Sequence, residues 1–280
     1  MAINWFPGHM ARTKREIKEN LKLVDAVIEI RDARIIRASK NPDIENICGN
    51  KPRIILLNKS DLSEESITRQ WISYLSEDNV RILSVNCNTG QGLKSIRPML
   101  NELLKEKHNK MKNKGVSKII DRAMVVGIPN VGKSSFINKM AKSSIAKIGD
   151  RPGITKSKQW IKTKLGVELM DTPGILWPKL ESEETQLNLA FTGAIKDEIM
   201  DIENLALMLL KVLCRDYPDR VISRYKLNGL SEEPLENMNN IAIKRGAILP
   251  GKEINYNRVS IMLLDEFRGG KLGPISLEKP

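Results

Sequence analysis

Gly127-Ile128-Pro129-Asn130-Val131-Gly132-Lys133-Ser134 has the spacing G-x-x-x-x-G-K-[ST]. Glycines at both ends let backbone N–H groups turn inward around a phosphate chain. A lysine reaches the terminal oxygens, and a hydroxyl on the first helical turn can ligate Mg²⁺. An apolar run over 122–126 precedes the motif and a helical pattern over 135–140 follows, so the strand, loop and helix that this chemistry requires are in place. Asn130, Val131, Gly132, Lys133, Ser134 and Ser135 are therefore candidate phosphate ligands, and Lys133 is also a catalytic candidate.

Asp171-Thr172-Pro173-Gly174 closes another apolar run, 167–170. An acid there can hold Mg²⁺ through water, and the Gly174 N–H can meet a γ-phosphate during hydrolysis. Thr155, in Pro152-Gly153-Ile154-Thr155, is placed to add a second hydroxyl, which makes Ser134, Thr155 and Asp171 the metal candidates. Asn58-Lys59-Ser60-Asp61 follows a third run, 53–57. The Asp61 carboxylate can accept from guanine N1–H and the exocyclic amine, whereas adenine would leave it unpaired. The three motifs together select GTP and GDP.

The elements that must position these residues follow from patterning. Apolar, partly β-branched runs at 23–30, 53–57, 80–85, 122–126 and 167–170 alternate with helix-like stretches, which predicts an α/β sheet. After Trp177-Pro178 the pattern turns helical. The stretch 201–215 is apolar nearly all round and stops at Tyr217-Pro218, and 258–267 ends at Gly269-Gly270. Ser182, Asp201 and Asn257 are the expected caps. Two domains are predicted, 1–178 and an all-helical 179–280, with Lys105–Lys118 as a flexible lysine-rich connection in which His108 is solvated.

With 280 residues and 41% hydrophobic content the chain can bury a sizeable core, and no run reaches the roughly 18 apolar residues of a spanning helix. MAINWFPGHM lacks a secretory apolar core, so a cytoplasmic location is expected and no membrane partner. Cys48, Cys87 and Cys214 form no CxxC pair, and only His9 and His108 add soft ligands, so any metal should be oxygen-bound. The net charge of +12 is uneven: Met1 to Leu180 carries 33 Lys and Arg against 18 Asp and Glu, the remainder 13 against 16. Six lysines in 105–118 and eight cations in 139–164 point to a polyanion partner. The charge balance of the second domain does not by itself point to such a partner, although Arg245, Arg258, Arg268 and Lys271 could cluster on one face of it.

In ordinary GTPases N-K-x-D follows D-x-x-G, whereas here it precedes the P-loop, the order expected of a circular permutation. With Asn4-Trp5-Phe6-Pro7-Gly8-His9-Met10, Asp32-Ala33-Arg34 and the run DTPGILWP from Asp171, the chain closely resembles the bacterial ribosome biogenesis GTPase A family over essentially its whole length. Gly193-Ala194-Ile195-Lys196-Asp197, Arg245-Gly246 and Glu266-Phe267-Arg268 extend the likeness. The resemblance implies a permuted P-loop GTPase with a doubly wound, mostly parallel sheet and a helical C-terminal domain. It also implies a factor acting late in maturation of the large ribosomal subunit, contacting rRNA and releasing after hydrolysis. A monomer is expected.

The family's guanine-contacting Ser-Ala loop corresponds to Ser84-Val85 here, where a backbone contact would survive the change to valine. The water-orienting glutamine of small GTPases is replaced by Ile175, and the resemblance offers His9 in its place; His9 either orients the water or docks the N-terminal segment. Asn130 stands where some similar GTPases coordinate K⁺. Lys156 and Lys158 flank Thr155, so nucleotide state can control how they meet RNA. Of the aromatics near family motifs, Trp5, Phe6, Trp160 and Trp177, the first two are the expected partner contacts. Two rival functions stay open: a GTP-dependent rRNA-binding module with little hydrolysis, and a GTPase in another RNA-linked process.

Overall fold

The computed structural model describes residues 15–141, 160–174, 176 and 182–280. Trp5, Phe6, His9, Thr155, Lys156, Lys158, Ile175 and Trp177 lie outside them. The chain divides into two compact units, Met1–Ser60 with Glu65–Leu180 and Glu278–Pro280, and Asp61–Glu64 with Glu181–Leu277.

The first unit is built on six strands: β1 (Ala26–Asp32), β2 (Arg53–Asn58), β3 (Val80–Ser84), β4 (Asp121–Val126), β5 (Trp160–Lys162) and β6 (Val167–Asp171). They lie in the order β3-β2-β1-β4-β6-β5, all parallel except β5 against β6. Every residue of β1 and β2 is buried, as expected of central strands covered on both faces. One cluster includes Val24, Val27, Ile44, Met124 and Val126, and another Ile36, Ile55, Leu57, Trp71 and Ile82. Strand order reverses between β1 and β4, and at such a switch point the loops leaving the carboxyl ends diverge and open a crevice.

The first strand starts at Ala26 rather than at residue 23, because Leu21–Leu23 forms a 3-10 turn, and it runs on to Asp32. Three-residue β5 was not anticipated, being too short for periodicity to register. Trp160 on it is half-buried against the core with the Arg122 guanidinium 4.6 Å from its ring centroid, so it serves packing.

The lysine-rich stretch is not a flexible connection throughout: Lys105–Asn113 is a helix. Its anchor is Asp121 at the start of β4, which is 1% exposed and gathers Arg97 (3.0 Å), Lys107 (3.3 Å) and His108 (2.9 Å). His108 is therefore a hydrogen-bond partner of Asp121 rather than a solvated side chain. Lys105, Lys110, Lys112, Lys114 and Lys118 remain exposed.

The second unit contains the helices Glu183–Phe191, Ile202–Asp216, Pro218–Tyr225, Pro234–Arg245 and Tyr256–Arg268. Ser182 and Asp201 cap as expected, accepting from Thr185 N and Asn204 N, both at 3.1 Å. The third cap is Asn255, not Asn257: its side chain accepts from Arg258 N at 2.9 Å. A cap of this kind is worth about 1 kcal/mol. Leu205, Leu209, Leu210 and Leu213 make one buried face of Ile202–Asp216.

Of the four cations of this unit that could face a partner, Lys271 is exposed, whereas the three arginines make bonds within the unit. Arg268 donates to Phe191 O and Ala190 O, both at 2.9 Å, and pairs with Asp197 at 2.7 Å. Arg245 donates to Arg224 O at 2.9 Å and lies 5.2 Å from the Tyr225 ring centroid; Arg258 donates to Gly246 O at 3.1 Å. The motifs around Gly193 and Arg268 thus hold this unit's helices together.

Candidate nucleotide site

The loop between β4 and the helix Lys133–Met140 wraps around its own lysine. Gly127 and Gly132 have φ of 152° and 99°, and Asn130 adopts the left-handed conformation at 59°. Lys133 Nζ donates to Gly127 O at 3.0 Å and Ile128 O at 2.8 Å, carbonyls of the loop that phosphates would fill. Burial brings its pKa down to about 8, against the pull of Asp171. Ser134 and Ser135 are exposed on the first turn, with the N–H groups of the helix start beside them.

β6 delivers Asp171 directly opposite Val125. Thr172 Oγ1 donates to Val125 O at 2.7 Å and pins the turn. Asp171 Oδ1 is buried without a hydrogen-bond partner, and burial raises this carboxyl's pKa while Lys133 lowers it. Gly174 comes close to the P-loop: a Cβ there would lie 2.6 Å from Lys133 Nζ and 3.1 Å from Pro129 N, so a side chain would crowd both.

Ser134 and Asp171 are the described residues that can hold a cation. An orphaned carboxylate oxygen and an exposed hydroxyl at a helix start fit Mg²⁺. Among the described residues no three His, Cys, Asp or Glu side chains gather into a metal cluster, so the ion would complete its shell with phosphate oxygens and water. Thr155, the third metal candidate, lies outside the described residues.

Asn58 ends β2, is 3% exposed, and joins three loops. Its Nδ2 donates to Val131 O at 2.7 Å and its Oδ1 accepts from Cys87 N at 2.9 Å. Gly132 permits this approach, since a Cβ there would sit 2.2 Å from Asn58 Nδ2. Asn58 therefore stitches the phosphate loop to the loop after β3, and the second N–H of its amide stays available. Lys59, at φ 60°, reaches over to donate to Asn130 O at 2.8 Å. Asp61 follows on the 3-10 turn Ser60–Leu62 and is exposed.

Ser84 and Val85 need correction. Val85 N donates to Leu57 O at 2.9 Å and Val85 O accepts from Ser60 N at 3.2 Å, so the backbone expected to meet guanine continues the sheet. Ser84 is the last residue of β3. The turn itself starts beyond them: Asn86 Oδ1 accepts from Asn88 N at 2.9 Å and Thr89 N at 3.0 Å, and Gly90 N donates to Asn86 O at 2.8 Å. The sequence signal was an Asn three residues before Thr89-Gly90, the side-chain-backed turn that Asn favours. Cys87 within it is buried, its thiol pushed up to about 12, so it packs rather than reacts.

Sequence reasoning quoted Asp32 without a role, yet its buried carboxylate binds Lys59 at 2.9 Å. Within the first unit the arrangement offers a phosphate-sized loop with its lysine, and an acid and a hydroxyl that can hold a cation.

Comparison with known proteins agrees. Residues 122–239 match the family described as "50S ribosome-binding GTPase". Ribosome biogenesis GTPase A of Bacillus licheniformis is 50% identical over 280 residues, covering 100% of this chain and 99% of that protein. Mitochondrial ribosome-associated GTPase 1 of Xenopus tropicalis is 32% identical over 98% of this chain and 94% of its own length. The crystal structure of GNP-bound YlqF from T. maritima superposes with a TM-score of 0.68 at 26% identity, covering 96% of this chain and 98% of that one. With the permuted motifs assembled at the carboxyl ends of β2, β4 and β6 and half of all positions shared end to end, the chain belongs to the ribosome biogenesis GTPase A family and is a P-loop GTP hydrolase.

Proposed function

We propose that the protein is a ribosome assembly factor that binds the maturing large subunit as its GTP complex, late in assembly, and is released by hydrolysis to GDP and phosphate. The observation that carries the nucleotide part is the pair of hydrogen bonds made by the Asn58 amide, which join the N-K-x-D strand, the phosphate loop and the loop after β3. The partner is supported by the matched family's description and the relatives' names, and by exposed lysines at 105, 110, 112, 114 and 118, suited to an rRNA backbone. Among the described residues no helix is long and apolar enough to cross a membrane. We place the protein in the cytoplasm as a monomer.

In this reading Lys133 leaves the Gly127 and Ile128 carbonyls for the β- and γ-phosphate oxygens, and Ser134 and Ser135 receive phosphate at the helix start. Asp61 accepts from the guanine edge, and the Asn86–Asn88 backbone lines the base. Ser134, Asp171 and Thr155 would hold Mg²⁺, which would supply neutralisation of phosphate charge when bound. Gly174 N–H faces the γ-phosphate. His9 orients the attacking water, a task that Ile175 cannot perform. Asn130 provides an oxygen for K⁺; equal turnover in sodium and potassium buffers would remove that ion from the account.

Co-sedimentation checks the partner. With a non-hydrolysable GTP analogue the protein should pellet with isolated large subunits, and with GDP it should stay in the supernatant. Equal retention in both nucleotide states, or preference for small subunits, would contradict the assignment.

A further inference from the structure

We propose that Asp32 is a positioning residue for guanine nucleotide, acting through Lys59 on the phosphate loop. This rests on the assignment of nucleotide to these loops. Asp32 is the last residue of β1, paired in register with Asn58, at the switch point of the sheet. It is 2% exposed. Its Oδ1 accepts from Arg34 N (3.1 Å) and Nε (2.9 Å); its Oδ2 accepts from Arg34 Nη2 (2.8 Å) and pairs with Lys59 Nζ (2.9 Å). One buried carboxylate thus holds two cations.

The same Lys59 Nζ donates to Asn130 O. Lys59 and Asn130 are both left-handed, at φ 60° and 59°, without being glycine. Such conformations persist where the surroundings over-determine them. Asp32 supplies that determination for Lys59: with its ammonium fixed at one end, the long side chain forfeits rotamers it would otherwise sample and bridges β1 to the P-loop. Burial opposes ionisation of Asp32, but Arg34 and Lys59 outweigh it and hold the carboxyl far below its usual range, so the anchor stays charged.

The turn after Asp32 is fixed in its own right. Asp32 N donates to Ser39 Oγ at 3.2 Å, and Ser39 Oγ donates to Ile35 O at 2.6 Å. The Glu278 carboxylate accepts from Arg37 N at 2.6 Å and Ala38 N at 3.0 Å. Removing the Asp32 charge would therefore free Lys59 while the turn keeps these bonds.

The test is a double-mutant cycle on GDP release, read by displacement of a fluorescent GDP from the full chain. Asp32→Asn and Lys59→Met should each speed release by roughly tenfold. The double variant should match Lys59→Met within about twofold, because both cut one path. An unchanged rate in Asp32→Asn, or the same acceleration with and without Lys59, would overturn the proposal. If Asp32→Asn loses cooperative unfolding, Asp32→Glu carries the same cycle, with acceleration expected only when Lys59 is present. A wild-type chain without GDP affinity would instead overturn the site assignment, and this inference with it.

Discussion

Replacing Lys133 with methionine is expected to slow GTP hydrolysis by about 10²- to 10³-fold, the loss typical of removing one preorganised charged donor from a transition state. Methionine keeps the stem that packs in the loop and deletes only the ammonium. What the fold loses is a pair of bonds to Gly127 O and Ile128 O, which water can replace once the ammonium is gone. Single-turnover phosphate release measures the effect, with thermal melting as control.

Lys133 also sets a pH dependence whose sign can be worked out. Its pKa falls from 10.5 to about 8, so the ammonium is present below about 8 and lost above. Affinity for GDP should accordingly fall as pH rises through about 8, and Lys133→Met should flatten the profile. Stability of the free chain moves the other way. Between about 8 and 10.5 the unfolded chain binds the extra proton, so this lysine makes stability rise with pH across that window. Opposite trends in affinity and stability would identify Lys133 as the titrating group.

Asp61→Asn should weaken GDP binding by roughly two to three orders of magnitude and erase most of the guanine preference. The carboxylate has two acceptor atoms for guanine's N1–H and exocyclic amine; an amide presents one acceptor and one donor, and the donor opposes the amine. Xanthine carries a carbonyl where guanine carries that amine, so xanthosine diphosphate should bind the variant better than the parent. Competition titrations with GDP, XDP and ADP check this. If the guanine preference is untouched, Asp61 is not the base-reading residue.

The phosphate cradle was legible in the sequence because its work depends on local spacing: two glycines, a lysine and a hydroxyl on one loop after a strand. β2 was legible for a related reason, since a strand buried on both faces is written as an apolar run, here Ile54 to Leu57. The role of Asn58 was not, because Val131 and Cys87 are 73 and 29 residues away and only sheet order brings them together. Asp32 was seen as part of a motif, but its grip on Lys59 needs the register of β1 with β2. The lysine-rich stretch misled because composition carries no trace of Asp121, whose buried carboxylate turns Lys107 and His108 inward. Ser84-Val85 was taken for the base-contacting loop by likeness, whereas the sheet extends through Val85 and the turn begins at Asn86.

Gly132 and Gly174 show how tightly the phosphate loop is drawn into its neighbours. One leaves room for the Asn58 amide and the other for the Lys133 ammonium. Loops joined in this way would couple the proposed γ-phosphate contact at Gly174 to the loop after β3, as the proposed release on hydrolysis requires.

The most direct test of the account is GTP turnover by the purified chain at near-physiological potassium, alone and with isolated large ribosomal subunits. Slow turnover alone and a large stimulation by subunits, lost in His9→Ala, is the predicted result. Turnover that large subunits leave unchanged would contradict the proposal that hydrolysis belongs to large-subunit assembly.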